Sequence, residues 1–196
     1  MQLTFRSLTG DAIAPVLDDL ARLRIAVFRD WPYLYDGDAA YEARYLAGYA
    51  GNPRAIVVTA EAEGRIVGAA TGMPLADHAD DFAGPLEERG IAEDKVFYCA
   101  ESVLLPDWRG QGAGHRFFDA REAHARRLGF RHSAFAAVVR PGDHPARPEG
   151  YRPLDSFWRG RGYVPMDGAM ARFSWTDIGD TGETEKPLQF WIKALT

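Results

Sequence analysis

Two stretches of the chain carry residue types at spacings that can do chemistry. In LLPDWRGQGAGHRFF, Leu104 to Phe118, an apolar strand pattern stops at Pro106, Arg109 to Gly114 read R-x-x-G-x-G, and an amphipathic helix pattern begins at once. A helix N-terminus offers unpaired N–H groups and the positive end of its dipole, and glycines let an anion approach the backbone closely. Such a turn can cradle phosphate. It is neither of the two commoner phosphate loops: a P-loop needs Gly-Lys followed by Ser or Thr, and a dinucleotide turn needs a third glycine where His115 stands. The alternative is a glycine-rich strand-to-helix turn without a ligand.

The second feature is Glu101, which interrupts the apolar strand pattern VFYCAESVLL eight residues before Arg109. A carboxylate in that setting costs free energy unless it is paired or hydrogen-bonded, and an environment of this kind can tune it to act as a base. The alternative is that Glu101 pairs with an arginine or caps a strand bulge. Ser102 alternates to the other face as a packing residue. Cys99 has no histidine at a local spacing that would activate it, and the five histidines show no metal-ligand pattern, so no metal is assigned.

The run from Val103 to Gly114 resembles the acetyl-coenzyme A signature of the GNAT N-acetyltransferase superfamily: an apolar strand, a proline, then R-G-x-G-x-G. LDSFWRGRGY, Leu154 to Tyr163, resembles the second signature of that family, and the two stand in the family's order, separated by one helix and one strand. The resemblance is best from Lys95 to Tyr163. It implies a mixed α/β fold whose central sheet, flanked by helices, has splayed central strands holding acetyl-coenzyme A as co-substrate. The pantetheine arm would lie along the backbone of Val103 and Leu104, and the pyrophosphate on that of Arg109, Gly110, Gln111, Gly112, Ala113, Gly114 and His115. It further implies acetyl transfer to a primary amine of a small molecule or peptide by direct attack, with Glu101 as the base that frees the amine of its proton.

One position departs from the family pattern. Where many members carry a Tyr whose hydroxyl protonates the departing thiolate, Phe157 is followed by Trp158, and an indole N–H is too weak an acid to replace it. Tyr151, where the family commonly has Asn, offers a substitute hydroxyl, with packing as the alternative. The connector WPYLYDGD carries Trp31, Tyr33, Tyr35, Asp36 and Asp38, a set suited to a small cationic amine through ring faces and carboxylates, or alternatively an aromatic cluster under a loop.

The elements that must position these residues follow from periodicity. A strand over Gln2 to Leu8 precedes a helix from Asp11 to about Phe28 and a second, short helix carrying Tyr41, Tyr45, Leu46 and Tyr49. Ala55 to Leu75 reads as a hairpin around Glu63-Gly64, Ala76 to Asp94 as an acidic excursion with a short helix near Pro85, and Lys95 to Pro106 as one central strand. Gly114 to Leu128 is a helix with Phe117, Phe118, Ala125 and Leu128 on its apolar face; Arg121, Arg126, Arg127 and Arg131 near its end suit the helix dipole. Ser133 to Val139 is a strand, the proline-rich Pro141 to Pro153 a rim over the cleft, Pro153 to Arg161 a short helix, and Met170 to Trp175 and Leu188 to Leu195 two closing strands. The order gives a mixed α/β protein, read as one domain over 1–196.

Composition bounds the partners. The 196 residues are 46% hydrophobic and 26% charged with a formal net charge of −5, and the basic residues are scattered, which disfavours nucleic acid and anionic membrane. Apolar runs fall far short of the roughly 20 residues of a membrane span. A single cysteine allows no intrachain disulfide and no thiolate zinc site, and with no signal-peptide pattern at the start the expected location is the cytoplasm. Self-association is left open. Besides the enzyme, two readings remain: a non-catalytic acyl-coenzyme A module or sensor, and a protein-binding domain using the acidic excursion Asp77 to Glu88.

Overall fold

β1 (Thr4–Leu8) pairs antiparallel with β2 (Ile56–Ala62), which turns at Glu63-Gly64 into β3 (Arg65–Pro74). Both turn residues have positive φ, +52° and +74°, the twist that matches a two-residue hairpin to its strands. The computed structural model describes residues 2–78 and 83–196; part of the acidic excursion thus lies outside the described residues. Next come β4 (Val96–Tyr98), β5 (Ser102–Leu104), β6 (His132–Val138), β7 (Val164–Trp175) and β8 (Thr184–Ala194). The sheet runs β1-β2-β3-β4-β6-β8-β7, with β5 also on β3; β4 and β6 are parallel and the other pairs antiparallel.

Helices cover both faces, as the doubly buried strand β2 requires. α1 (Leu17–Phe28) and α2 (Ala39–Ala50) put Leu20, Leu23, Leu46 and Tyr49 against Val57, Ala69, Met73 and Val103. After the short α3 (Gly84–Glu87), α4 (Ala113–Arg127) and α5 (Asp155–Gly160) cover the opposite face, where Phe117, Phe118 and Phe157 meet Ile56, Val58, Ala70 and Phe97. The first helix is shorter than its periodicity predicts. Pro15 lacks the N–H a continuous helix from Asp11 would need, and the chain makes two 3₁₀ turns, Gly10–Ala12 and Ala14–Val16, before α1 begins. Leu128, expected on the apolar face of α4, is 40% exposed just beyond its end.

The expected single strand from Lys95 to Pro106 is two. Tyr98 pairs with Met73 and Ser102 with Ala70, so three steps along β3 face four steps along its partner. The extra residue forms a bulge opposite Thr71: Ala100 N–H donates to the Thr71 carbonyl (3.2 Å), and Thr71 N–H donates to the Glu101 carbonyl (3.1 Å). Bulges bend their strand and break the neighbouring ladder. Here β4 stays beside β6 as far as the bond from Cys99 N–H to the Ala134 carbonyl (2.8 Å), while β5 follows β3 and leaves β6, so the predicted splay opens at the bulge.

Arg121 fixes the bulge, and the helix-dipole explanation does not hold for it. It is 1% exposed, with Nη1 donating to the carbonyls of Thr71 (3.1 Å) and Glu101 (2.9 Å) and Nη2 to Ser102 Oγ (2.8 Å). Arg121→Met would remove these three hydrogen bonds from a charged donor, leaving the Thr71 and Glu101 carbonyls only their backbone donors, and should cost about 2 kcal/mol or more of unfolding free energy. The half-exposed Arg126 should cost less than about 0.5 kcal/mol on the same change, and urea denaturation of the two variants measures the difference.

Candidate active site

The glycine turn forms the floor of one half of the site. Gly110 and Gly112 have φ of +76° and +80°, Gly112 is the N-cap of α4, and no acidic residue occupies the helix's first turn. A Cβ built on either glycine would meet no protein atom within 4 Å, so the backbone there is open to an approaching anion. Gly114, expected in the same cradle, has a packing reason instead: its Cβ would lie 3.1 Å from Phe157 Cζ. Phe157 also packs on the His115 ring, with centroids 4.9 Å apart, so the two sequence stretches that suggested a family are in contact. Arg109 turns back, its Nε donating to the Leu104 carbonyl (3.2 Å).

Above the turn lies the gap between β5 and β6. Thr71 N–H donates to the Glu101 carbonyl and Leu105 N–H to the Val67 carbonyl, so along β5 the odd-numbered peptides face β3 and the even-numbered ones face away. The Leu104 amide, rather than that of Val103, is thereby directed to the gap. Across it, the bond from Cys99 N–H to the Ala134 carbonyl puts Ala136, two residues on, with its peptide toward the gap as well. The Ala136 backbone hydrogen-bonds the buried Tyr98 phenol there.

A cavity of about 110 Å³ adjoins the mouth of the gap, with Ala100, Glu101, Tyr98 and Ala136 common to both. Its remaining wall is largely aromatic, from the connector (Tyr33 and Tyr35), from α2 (Tyr41 and Tyr45) and from β7 (Phe173 and Trp175). Glu101 is 8% exposed; its Oε2 takes an ion pair from Arg24 Nη1 (2.7 Å) and a hydrogen bond from the Tyr45 hydroxyl (3.2 Å), while its buried Oε1 has no partner. Arg24 also pairs with Glu42, which is wholly buried on α2. Burial works against the Arg24 cation, yet Glu101, Tyr45 and Glu42 together hold it above its ordinary value. Burial, reinforced by Glu101, pushes the Tyr33 phenol up to about 12, and burial pushes that of Tyr35 to about 12. The phenols are therefore donors at neutral pH.

Of the residues expected on the acceptor side, Tyr33 and Tyr35 line the cavity with Glu101, and Trp31 and Asp36 do not. Trp31 packs between His144 (5.1 Å) and Tyr151 (5.9 Å), bringing the proline-rich rim onto the connector, and Asp36 sits on the surface 3.4 Å from Arg29. Asp38 caps α2, accepting from Tyr41 N–H (2.6 Å). Tyr151 packs edge-on to Trp31 and is not among the residues that line the cavity with Glu101. Trp158 is packed against Phe135 and Trp191. Arg24, Glu42 and Tyr45 were not anticipated, although Arg24 and Glu42 each place a charge on the apolar stripe of a helix.

The family model described as Acetyltransferase (GNAT) family matches residues 20–148, more than half of the chain and including the bulge, the glycine turn and α4. The chain belongs to the GNAT acetyltransferase family. Solved structures of this family share the fold. A phosphinothricin acetyltransferase from Sinorhizobium meliloti, in complex with acetyl-coenzyme A, aligns over 100% of this chain and 89% of its own at 18% identity with a TM-score of 0.60. A ribosomal-protein-alanine N-acetyltransferase from Brucella melitensis aligns over 98% and 99% at 16% identity and 0.62. A polyamine N-acetyltransferase from Drosophila melanogaster aligns over 99% and 100% at 14% identity and 0.61. No match is found among curated protein sequences. Among the described residues of this GNAT chain there is no cluster of three metal-ligating side chains and no helix long and apolar enough to cross a membrane.

The phenols give a pH dependence with a definite sign. Tyr33 and Tyr35 ionise near 12 in the folded protein and near 10 unfolded, so the folded state holds their protons longer. Their contribution to stability is fully present below pH 10 and is lost as the pH rises from 10 toward 12. Urea midpoints should be level up to about pH 9.5 and fall steeply above it, and phenolate absorbance from these residues should appear together with unfolding.

Proposed function

We propose that the protein is an acetyl-coenzyme A-dependent N-acetyltransferase that acts on a primary amine by direct attack. The observation that carries this reading is the position of Glu101, a buried carboxylate with one oxygen unpartnered, at the junction of an amine-sized cavity with the gap between β5 and β6. Acetyl-coenzyme A supplies the acetyl thioester. The chain's own residues fit it: open glycine backbone at Gly110 and Gly112 for the pyrophosphate, and the Leu104 N–H, turned away from β3, for an amide-bearing arm that pairs like an added strand. Glu101 Oε1 accepts a proton from the acceptor's ammonium, which leaves the nitrogen lone pair free to attack, while Arg24 and Tyr45 hold the other oxygen in place. A thiol of ordinary acidity, with a pKa of about 8.5, leaves as the anion or takes a proton from water, so the step does not depend on Trp158. The one buried thiol, Cys99, suits the reducing cytoplasm in which we place the enzyme.

A second reading, a non-catalytic acyl-coenzyme A binder, is favoured by the ion pair that occupies Glu101 Oε2 and by Trp158 at the position of the usual acid. Two variants divide the readings. Gly112→Val strains a left-handed position and fills the space above the turn, and it should abolish acetyl-coenzyme A binding in calorimetry under either reading. Glu101→Gln should lower amine-dependent release of free thiol from acetyl-coenzyme A by roughly 10²- to 10⁴-fold with binding of acetyl-coenzyme A unchanged. A wild-type protein that binds the thioester and releases no thiol with any amine is the binder instead.

A further inference from the structure

On one wall of the cavity the buried carboxylates outnumber the cation that holds them, while behind Trp175 two cations, Arg140 and Lys186, face the single carboxylate of Asp177. Arg24, the guanidinium of the wall, faces two carboxylates, Glu42 and Glu101, and all three are buried. One negative charge is left over in a low-dielectric setting, where an uncompensated ion is costly. Two carboxylate oxygens of this cluster accept no hydrogen bond, Glu101 Oε1 and Glu42 Oε1, and of the two residues only Glu101 lines the cavity. Most of the rest of the wall is aromatic, with His78, Ser174 and Leu188 among the rings, and ring faces attract a cation electrostatically and offer apolar area to whatever carries it. Arg24 already faces two carboxylates, so its surroundings carry a net negative charge that opposes a substrate carboxylate.

We infer that the acceptor is a primary amine that carries a single positive charge, an apolar or aromatic body and no carboxylate. This deepens the functional reading above and rests on it for the identity of the cavity. The ammonium enters as the missing counter-ion of that cluster, donating to Glu101 Oε1 beside the ring of Tyr33. The enclosed volume, about 110 Å³, takes the ammonium and the first carbons, since an apolar cavity of about 150 Å³ is enough to hold benzene; the body then lies along the rings toward the opening. An amino acid would bring its carboxylate beside Glu101, and a diamine would bury a second ammonium among rings with only one negative charge to meet.

Calorimetry on the protein saturated with coenzyme A tests this with four probes: phenethylamine, its carboxylate-bearing counterpart phenylalanine, the diamine putrescine, and the uncharged isostere phenethyl alcohol. Phenethylamine should bind at least about tenfold more tightly than each of the other three. In Glu101→Gln that preference over phenethyl alcohol should vanish while affinity for the alcohol stays within about twofold, a pattern that a purely structural role for Glu101 would not give. Tighter or equal binding of phenylalanine or putrescine, or no binding of phenethylamine, overturns the inference. The comparison of probes on the unmodified protein holds even if the variant unfolds. Thiol release on the same probes separates the two claims. Phenethylamine bound with the stated preference but never acetylated refutes the functional reading alone, whereas acetylation of phenylalanine or putrescine in preference to phenethylamine refutes the inference alone.

Discussion

Between Tyr98 and Ser102 the chain carries one residue more than β3 can match, and the sheet must put it somewhere. Opposite Thr71 the surplus becomes a bulge, and three consequences follow from that local misfit. The strand bends away from β6, so two backbone edges lose their partners and face each other across a gap. The alternation of side chains is reset, which brings Glu101 to the cavity wall while Val103 still points into the core beneath α1. The carbonyls at the bulge each accept one backbone N–H, and a guanidinium from α4 supplies a second donor to both. α4 is also the helix whose N-terminus carries the glycine turn. Arg121 therefore ties the helix behind the glycine turn to the strand that carries Glu101 through hydrogen bonds of 2.8 to 3.1 Å. The two elements cannot drift apart without breaking buried hydrogen bonds, each costly to leave unmade.

Burying Arg24, Glu42 and Glu101 together is a poor way to gain stability. Desolvating three ions costs several kcal/mol each, and their mutual attraction seldom returns more than it costs. What the arrangement does supply is geometry. Arg24 lies over the Tyr45 ring at 4.3 Å and the Phe28 ring at 5.1 Å, which locks the guanidinium plane, and the locked guanidinium fixes one oxygen of Glu101 and leaves the other toward the cavity. A base held in one orientation needs no rearrangement when the substrate arrives. The pairing with an arginine and the place at a bulge, which the sequence left as the alternative to a catalytic role, are thus both present, and under the proposed function they would serve to present the carboxylate.

How much of this could be read from the residues depends on how local the cause is. The glycine turn, the hairpin at Glu63-Gly64 and the helix starting beside Gly112 are set by φ preferences and periodicity within a few residues, and sequence and structure agree there. The bulge was not legible, because VFYCAESVLL reads as one strand and the misfit exists only against the register of β3. Nor was the partition of the aromatic connector: Trp31 and Tyr33 look alike in sequence, and which of them reaches the cavity depends on contacts with His144, Tyr151 and Trp175 from segments more than a hundred residues away. Arg24, Glu42 and Arg121 did leave a signal. Each stands four residues from an apolar neighbour on a buried stripe, Leu20, Leu46 and Phe117, where a charge has no place unless a partner waits across the interface.

The acceptor wall is held from its far side by a second cluster of charge. Arg140, just past β6, donates to the carbonyls of Pro32 (2.9 Å) and Tyr33 (2.7 Å) and grips Asp177 with both terminal nitrogens, while Trp175 Nε1 donates to the same Tyr33 carbonyl (3.0 Å). Burial pushes the Asp177 carboxyl up, but its bonds to Arg140 and Lys186 outweigh that and hold it below its usual value, so the grip stays charged across the neutral range. The connector is irregular and has no ladder of its own beyond the bridge from Tyr35 to Asp177, so its backbone groups need these donors as a strand needs its neighbour. A loop satisfied in this way is as fixed as the sheet it leans on. The two tyrosines it carries, Tyr33 and Tyr35, are thereby held in place as walls of the cavity.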